Sequence, residues 1–120
     1  MPSRVTKDSG KRQEYSSGMN RDVNDDKARF DLIFPEGIPY EEQLITRFAG
    51  LMMRGAKKYD SRNWEKASSK EELDRFKESA LRHCIQWYCG ERDEDHAAAV
   101  LFNIMGYEAT NFKINNNNNG

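Results

Sequence analysis

One segment of this sequence, from about Asp93 to Tyr107, places apolar side chains on every side of a helix. A helix that is apolar all round has to be covered from several directions. The segment therefore predicts a helical bundle, with this helix at its centre. The apolar positions are Ala97, Ala98, Val100, Leu101, Phe102, Ile104 and Met105.

Two further helices are predicted before it, from about Tyr40 to Tyr59 and from about Lys70 to Cys89. In both, apolar residues recur at helical spacing. No segment of the chain alternates apolar and polar residues as a strand does. Three short helices bury little surface by themselves. We therefore expect an all-α fold: a small bundle of about three main helices with an extended N-terminal segment, completed by oligomerisation. The second helix is expected to pack through one broad apolar face, made of Leu73, Phe76, Ala80, Cys84, Trp87 and Tyr88.

The ends of the chain differ in composition from its middle. Residues 1–20 are rich in Ser, Lys, Arg and Gly and predict a flexible arm, residues 21–110 the helical domain, and the asparagine tract in 111–120 a disordered tail. No apolar run has the length of a membrane span and no signal peptide is visible, so we expect a cytoplasmic protein. With 19 basic and 20 acidic residues, the chain lacks the basic excess of a protein that binds nucleic-acid polymers. Cys84 and Cys89 fit no metal or redox motif and predict two reduced thiols.

Two polar residues stand out in the otherwise apolar third helix. His96 and Asn103 are seven residues apart and share one helix face. Buried imidazole and amide groups need hydrogen-bond partners. They either tie helices together or line a polar cavity, and the sequence leaves both interpretations open. His83, on the apolar margin of the second helix, is predicted to be structural.

Acidic side chains surround the turn before the third helix. They are suited to a hard cation, although an acidic turn is also a favourable partner of the helix dipole. Glu78 on the second helix is a further candidate ligand, or else an exposed partner of Arg82 four residues on. An antiparallel connection places Glu78 near Asn103 and some 15 Å or more from Asp95 by the helical rise. The turn contains Glu91, Asp93, Glu94 and Asp95.

Basic and aromatic residues interleave after the first helix, a pattern suited to a phosphorylated ligand with a flat base. The alternative is a solvated helix end with two core aromatics. A second polar cluster occurs in the N-terminal segment. The first cluster contains Lys57, Lys58, Tyr59, Arg62 and Trp64, and the second contains Arg21, Asp22, Lys27, Arg29 and Asp31.

The order of these pieces resembles the phage-type dATP/dGTP diphosphohydrolases, remote relatives of the MazG-like all-α nucleotide pyrophosphohydrolases. The similarity covers about residues 20–108. It implies a metal-dependent attack of water on the α-phosphorus of a purine deoxynucleoside triphosphate, releasing pyrophosphate. The matching pieces are Arg21-Asp22, Lys27-x-Arg29-x-Asp31-Leu32-Ile33-x-Pro35, Gly55-Ala56-Lys57-Lys58-Tyr59, Arg62-Asn63-Trp64, Phe76-x-x-Ser79-Ala80-Leu81-Arg82-His83, Trp87-x-x-Gly90-Glu91, Asp95-His96 and Asn103.

The resemblance also implies roles for individual residues. Together with the polar face of the third helix and the acidic turn, it leads us to expect catalytic roles for Glu78, His96 and Asn103. Glu78, Glu91 and Asp95 are the expected ligands of Mg²⁺ (or Mn²⁺), with the turn supplying ligands that the family motif lacks here. MazG-like enzymes carry Glu-Glu-x-x-Glu on one helix and Glu-x-x-Asp on the next; aligned here, only Glu78 keeps its carboxylate. Substrate contacts are implied for Arg21, Asp22, Lys27, Arg29, Lys57, Lys58, Tyr59, Arg62, Asn63, Trp64 and Arg82.

Other functions remain open at this stage. A non-enzymatic helical adaptor or nucleotide-binding module predicts an exposed apolar patch and no metal affinity. A metal phosphohydrolase of the His-Asp type would need more histidines than the two in this chain. The expected partners are a purine deoxynucleoside triphosphate and further copies of the chain, in a dimer or tetramer, with no nucleic-acid polymer and no membrane.

Overall fold

The structure is a computed structural model that describes residues 12–14, 16–22 and 26–118. The chain divides into two units, Met1–Ile33 and Phe34–Gly120. Most of the predicted flexible arm, namely residues 1–11 and 15, lies outside the described residues.

The first unit contains a short antiparallel hairpin, which the sequence analysis did not predict. Strand β1, Arg12–Glu14, pairs with β2, Asn20–Asp22. Three residues a strand are too few to show the alternation by which strands are recognised. Gly18, in the connection, has a φ of 90°, which glycine tolerates at no steric cost. A 3-10 turn, Phe30–Ile33, closes this unit.

The second unit is helical, and it confirms the all-α class with three main helices. Helix α1 spans Leu44–Lys58, α2 Lys70–Tyr88 and α3 His96–Asn118. Single 3-10 turns, Tyr40–Glu42 and Asn63–Lys66, precede α1 and α2. The first helix therefore begins later than its predicted start at Tyr40.

Helix α2 has the boundaries that its sequence predicts. The Ser69 hydroxyl accepts a hydrogen bond from the Glu72 backbone N–H at 3.2 Å, and the Glu72 carboxylate accepts one from the Ser69 N–H at 3.1 Å. This reciprocal pair satisfies two backbone donors at the helix start. Gly90, with a φ of 80°, turns the chain after the helix ends.

Helix α3 extends well beyond its predicted end at Tyr107, so residues 111–118 are helical and not a disordered tail. The extension has tertiary partners that its composition does not reveal. The Lys113 ammonium donates to the backbone carbonyls of Glu65 and of Ala67, the latter at 3.2 Å. Thr110 is buried on the same helix. These contacts offset the low helix propensity of asparagine.

Helices α2 and α3 are antiparallel neighbours, as predicted, with aromatic rings between them. The Phe76 ring of α2 lies over Gly106, and it makes an edge contact with Phe102 at 6.0 Å between centroids. Trp64 makes a second edge contact with Phe102, at 6.4 Å. These rings fix the register of the two helices around a glycine that admits the close approach.

The face that α2 presents to α3 differs from the one predicted. Trp87 and Tyr88 are 57% and 84% exposed, while the polar side chains Ser79 and His83 are partly buried. Helix α3 is likewise open on one side, since Ile104 and Phe112 are 49% and 56% exposed. Within one chain, the third helix is thus not covered all round. An apolar stripe remains exposed on α2, and it consists of Leu81, Cys84, Ile85 and Tyr88.

The buried apolar core among the described residues is small and consists of alanines: Ala67, Ala98 and Ala99. Its small size follows from the polar and half-buried residues that occupy the α2–α3 contact. No helix in the described part of the chain combines the length and the apolar character needed to cross a bilayer.

Candidate functional site

Two histidines face each other where α2 meets the start of α3. The Nδ1 atoms of His83 and His96 are 2.8 Å apart, and the ring centroids are 5.1 Å apart. His96 is 2% exposed, and its Nε2 lies 2.8 Å from an Asp93 carboxylate oxygen. Three side chains therefore form a continuous hydrogen-bonded chain at this end of the bundle. The sequence analysis assigned His83 a structural role and did not pair it with His96.

The protonation states in this chain follow from its donors and acceptors. The hydrogen bond from His96 lowers the pKa of the Asp93 carboxyl, which is therefore ionised and can only accept. His96 consequently donates from Nε2 to Asp93, and of the two facing Nδ1 atoms one donates and the other accepts. Burial lowers the pKa of His83.

Carboxylates of the acidic turn approach the histidine pair. One oxygen of Glu94 and one nitrogen each of His83 and His96 all lie within 4.8 Å of one another. A second such group joins Glu91 and Asp93 to His96. In the part of the chain that the structure describes, these are the groups able to gather around one cation. Of the predicted metal ligands, only Glu91 belongs to them.

Asp95, predicted as a metal ligand, is engaged in other contacts. Its two carboxylate oxygens accept from the Arg47 guanidinium at 2.8 and 3.0 Å, and one of them also accepts from the Ala98 N–H at 3.2 Å. Asp95 therefore caps α3 and ties it to α1. Arg47 holds the pKa of the Asp95 carboxyl below its usual value.

A polar groove of about 610 Å³ lies beside this ion pair. Both cations and anions face it, so its surface suits a ligand that carries several charges. Its walls reach from the end of α2 to the start of α3. The lining side chains include Glu42, Arg47, Trp87, Glu91, Arg92, Glu94, Asp95 and His96.

Glu78 is exposed on α2 and belongs to neither group of potential cation ligands. Its neighbour Ser79 faces the seam between α2 and α3 and lines a groove together with Asn103. The antiparallel pairing thus brings this turn of α2 opposite Asn103, as predicted, but the Glu78 side chain lies outside that groove. Arg82, one turn further along, is also exposed.

The groove at Asn103 has aromatic walls and measures about 490 Å³. It brings three predicted residues together: Asn63, Trp64 and Asn103. The Asn103 amide is 7% exposed and donates to the Ala99 carbonyl at 2.8 Å. The groove, which we call the Trp64 groove, is lined by Asn63, Trp64, Lys66, Ala67, Glu72, Arg75, Phe76, Ser79, Phe102 and Asn103.

Two cations of the Trp64 groove, Lys66 and Arg75, were missed by the sequence analysis. Lys66 follows the predicted Asn63 and Trp64 within one 3-10 turn, so the spacing carried a signal that could have been used. Arg75 lies four residues before Ser79, on the same face of α2. Its place in the groove depends on the packing of α2 against α3, which no local pattern shows.

The remaining predicted substrate residues of the second unit lie at the exposed end of α1 and in the following loop. The Lys58 ammonium is 5.2 Å from the centroid of the Tyr59 ring, and Tyr59 is 63% exposed. Arg62 pairs with Glu65 at 2.8 Å. Together with Lys57, which is also exposed, these residues line neither of the two grooves.

Four of the predicted substrate residues belong to the first unit: Arg21, Asp22, Lys27 and Arg29. Lys27 and Arg29 are exposed, and Arg29 donates to both oxygens of Asp31, at 2.9 and 2.7 Å. This pairing raises the pKa of Arg29 and lowers that of Asp31. Arg21 and Asp22 belong to β2, and their side chains lie outside the described residues.

Comparison with known proteins gives one family. Residues 17–117 match the model of the family described as dATP/dGTP diphosphohydrolase, N-terminal. No curated protein matches the chain, and no solved structure does.

Proposed function

This chain belongs to the dATP/dGTP diphosphohydrolase N-terminal domain family, and from that membership we propose that it hydrolyses purine deoxynucleoside triphosphates. The proposed products are the monophosphate and pyrophosphate. The observation that carries the proposal is the family match, which spans residues 17–117 of the 120. The substrate is the free nucleotide, and we place the reaction in the cytoplasm.

The Trp64 groove is our proposed binding site for the nucleotide. Trp64 and Phe102 supply flat apolar surfaces for a purine, and the amides of Asn63 and Asn103 can hydrogen-bond to its edge. A concave site that combines aromatic walls with convergent polar groups is typical of small-molecule binding. The geometry supports a flat, polar-edged ligand better than an aliphatic one.

Two cations at the groove suit the triphosphate. Arg75 has no ion-pair partner among the described residues, which leaves its guanidinium available to phosphate oxygens. Lys66 pairs with Asp60 at 2.9 Å, and both of these side chains are largely exposed, so this pair exchanges readily with a phosphate. Cationic side chains would neutralise the charge that develops on departing pyrophosphate.

The proposed reaction is a single displacement at phosphorus. The oxygen of one water molecule bonds to the α-phosphorus, and the bond from that phosphorus to the oxygen bridging to the β-phosphate breaks. The electron pair leaves with pyrophosphate, and the water proton passes to solvent or to a nearby base. Asn103 and Arg75 would orient and bind the triphosphate; they supply no electrons to the step.

A divalent cation, Mg²⁺ or Mn²⁺, is part of the proposal because such an ion activates water and offsets phosphate charge. The carboxylates expected to hold it do not gather in this structure. Asp95 gives both oxygens to Arg47, and Glu78 stands apart from Glu91. Magnesium prefers a shell of oxygen ligands. The expected set Glu78, Glu91 and Asp95 therefore does not fit a magnesium site, and no step is assigned to it.

We also propose that the chain forms a homo-oligomer, a dimer or a tetramer. The support is the exposed apolar stripe of α2, in which Leu81, Ile85 and Tyr88 are 63%, 54% and 84% exposed. Contiguous apolar surface of this kind is typical of a protein–protein contact. Sedimentation equilibrium on wild type and on Ile85→Glu tests it: a monomeric wild type contradicts the proposal.

The activity is tested by incubating the purified chain with a panel of ribo- and deoxyribonucleoside triphosphates and a panel of divalent metals, then identifying products by chromatography. We expect dGMP and dAMP with pyrophosphate. Arg75→Gln should raise KM, while Lys77→Gln, an exposed lysine of the same helix, serves as the matched control. Release of orthophosphate refutes the reaction class, and binding without turnover supports a nucleotide-binding module instead.

A further inference from the structure

His83 and His96 place two imidazole nitrogens side by side at a buried position that an apolar side chain could fill. His96 is 2% exposed and lies at the first position of α3, where an aliphatic side chain would pack without desolvating a polar ring. Both of its nitrogens have partners: Asp93 on Nε2 and His83 on Nδ1, each at 2.8 Å. A buried polar group held from both sides has a fixed orientation, and here its Nδ1 atom faces a second imidazole.

Asp93 orients the His96 ring as a carboxylate next to a metal-bound histidine does, without touching the metal itself. In metal sites, a ligating histidine commonly donates its second ring N–H to a carboxylate, which fixes the tautomer and raises the basicity of the ligating nitrogen. Asp93 accepts from Nε2 of His96, which leaves Nδ1 as the nitrogen that faces His83. The two imidazoles therefore present adjacent Nδ1 atoms.

The spacing of the donor atoms is close to what one ion requires. Two nitrogen ligands that each lie about 2.1 Å from the same ion are about 3.0–3.4 Å apart. The two Nδ1 atoms are 2.8 Å apart, so the rings need to separate by a few tenths of an ångström. The partly buried ring of His83 also has to turn, so that both nitrogens aim at the ion instead of at each other. A Glu94 carboxylate oxygen completes a group whose members all lie within 4.8 Å of one another.

We propose that His83, His96 and Glu94 bind one transition-metal ion of the kind that accepts imidazole ligands, such as Zn²⁺, Co²⁺ or Fe²⁺. Two imidazoles and one carboxylate form a donor set that selects such ions over Mg²⁺. On binding, the proton between the two Nδ1 atoms leaves for Nε2 of His83 or for solvent, so that both Nδ1 lone pairs are free for the ion. The open sides of the ion remain free for water or a phosphate oxygen.

The charges of the surrounding turn favour a cation there. Glu91 and Asp93 form the second carboxylate group around His96. The neighbouring ion pair of Arg47 and Asp95 adds no net charge, because its two charges cancel. The partial positive charge of the α3 N-terminus opposes the cation, and these carboxylates offset it. Arg92 is the one cation of the turn segment, and it lines the adjacent polar groove.

The proposed ion binding does not depend on the proposed hydrolysis. Any part of the ion in catalysis rests on the proposed function. The polar groove beside the pair contains both Glu94 and His96. Ser79 and His83 are one helical turn apart on α2, so the pair lies about 6 Å along the helix from the Trp64 groove. Arg75, proposed to bind the triphosphate, lies one further turn of α2 from the pair than Ser79 does. We therefore assign the ion no contact with the phosphates.

The test measures metal binding on the nucleotide-free full chain after treatment with a chelator. We expect one Zn²⁺ or Co²⁺ per chain by calorimetry, bound at least about 100-fold more tightly than Mg²⁺. Co²⁺ should give the visible absorption bands of a low-symmetry nitrogen-ligated ion. Zn²⁺ should shift the ring ¹⁵N resonances of both His83 and His96.

Variants locate the ion. Because His96 is buried, the informative changes are His83→Ala and Glu94→Gln, each with circular dichroism as a check of folding. Both should weaken Zn²⁺ binding about tenfold or more, while Glu108→Gln, an exposed glutamate on α3, should not change it. Unchanged affinity in His83→Ala, or a loss in Glu78→Gln instead of Glu94→Gln, overturns the assignment.

The two proposals fail separately. A chain that binds Zn²⁺ at the histidines but hydrolyses no nucleotide contradicts the proposed function alone. A chain that hydrolyses dGTP with Mg²⁺ and shows no Zn²⁺ or Co²⁺ binding contradicts the metal site alone. A histidine pair that only hydrogen-bonds gives no Co²⁺ spectrum and no metal-dependent ¹⁵N shift.

Discussion

Replacing Gly106 by alanine tests the contact that sets α2 against α3. A methyl group at Gly106 would lie 2.7 and 2.8 Å from two ring carbons of Phe76, with a third ring carbon closer still. Ordinary carbon contacts are about 3.5–4.0 Å, so the ring has to move by about 1 Å. Phe76 also makes the edge contact with Phe102, which restricts where the ring can go.

Two opposing effects decide the outcome for Gly106→Ala. Alanine in place of a helical glycine stabilises a helix by about 1 kcal/mol. Overpacking of a well-filled contact costs about 1–3 kcal/mol. We therefore expect Gly106→Ala to be neutral to destabilising, by up to about 2 kcal/mol. Gly55→Ala is the matched control, because a methyl group at that position in α1 meets nothing within 4 Å.

The assay is urea unfolding followed by circular dichroism, with thermal melts in parallel. The free energies of unfolding of the two alanine variants should differ by about 1–3 kcal/mol, and each kcal/mol should move Tm by about 4–8 °C. Phe76→Leu should lessen the cost of the alanine at Gly106 when the two changes are combined. If Gly106→Ala stabilises the chain as much as Gly55→Ala does, the α2–α3 register is wrong, and with it the pairing of the histidines.

Three further predictions concern the site and its supports. Trp64→Ala should raise KM for dGTP by about tenfold, the effect of losing about 1–2 kcal/mol of ring contact. Tyr40→Ala, at an exposed tyrosine outside both grooves, should leave KM unchanged in steady-state kinetics. Lys113→Met should lower stability by about 1–2 kcal/mol in urea unfolding, because two carbonyls of the Trp64 loop lose their charged donor. Asp95→Asn should cost about 1 kcal/mol at pH 7. The pKa of Asp95 is lowered in the folded state, so the difference in unfolding free energy is fully present above the ordinary pKa of 3.8. It should be lost as the pH falls from 3.8 through the lowered folded-state pKa, which urea unfolding across a pH series measures.

The sequence was most informative where structure is local. The capping residues Ser69 and Glu72 and the turn at Gly90 predicted both ends of α2, because these signals act within a few residues. The extension of α3 could not be predicted from its asparagines. It depends on Lys113, whose partners lie 46 and 48 residues away.

The candidate site was predicted only in part for the same reason. Helical spacing placed His96 and Asn103 on one face, and both line grooves in the structure. The helical spacing of α2, however, placed His83 at the margin of the apolar face. Spacing within one helix does not show which of its faces meets α3. Asp95 looked like a free ligand because its partner Arg47 lies 48 residues earlier in the chain.

In the proposed reaction, water attacks the α-phosphorus of a purine deoxynucleoside triphosphate. Hydrolysis of dGTP in ¹⁸O-labelled water, with Mg²⁺, Mn²⁺ and Zn²⁺ tried in turn, reports the attacked atom directly through ³¹P NMR isotope shifts. We expect dGMP carrying one ¹⁸O atom together with unlabelled pyrophosphate. Label in the pyrophosphate, orthophosphate among the products, or no product with any of the three metals would contradict it.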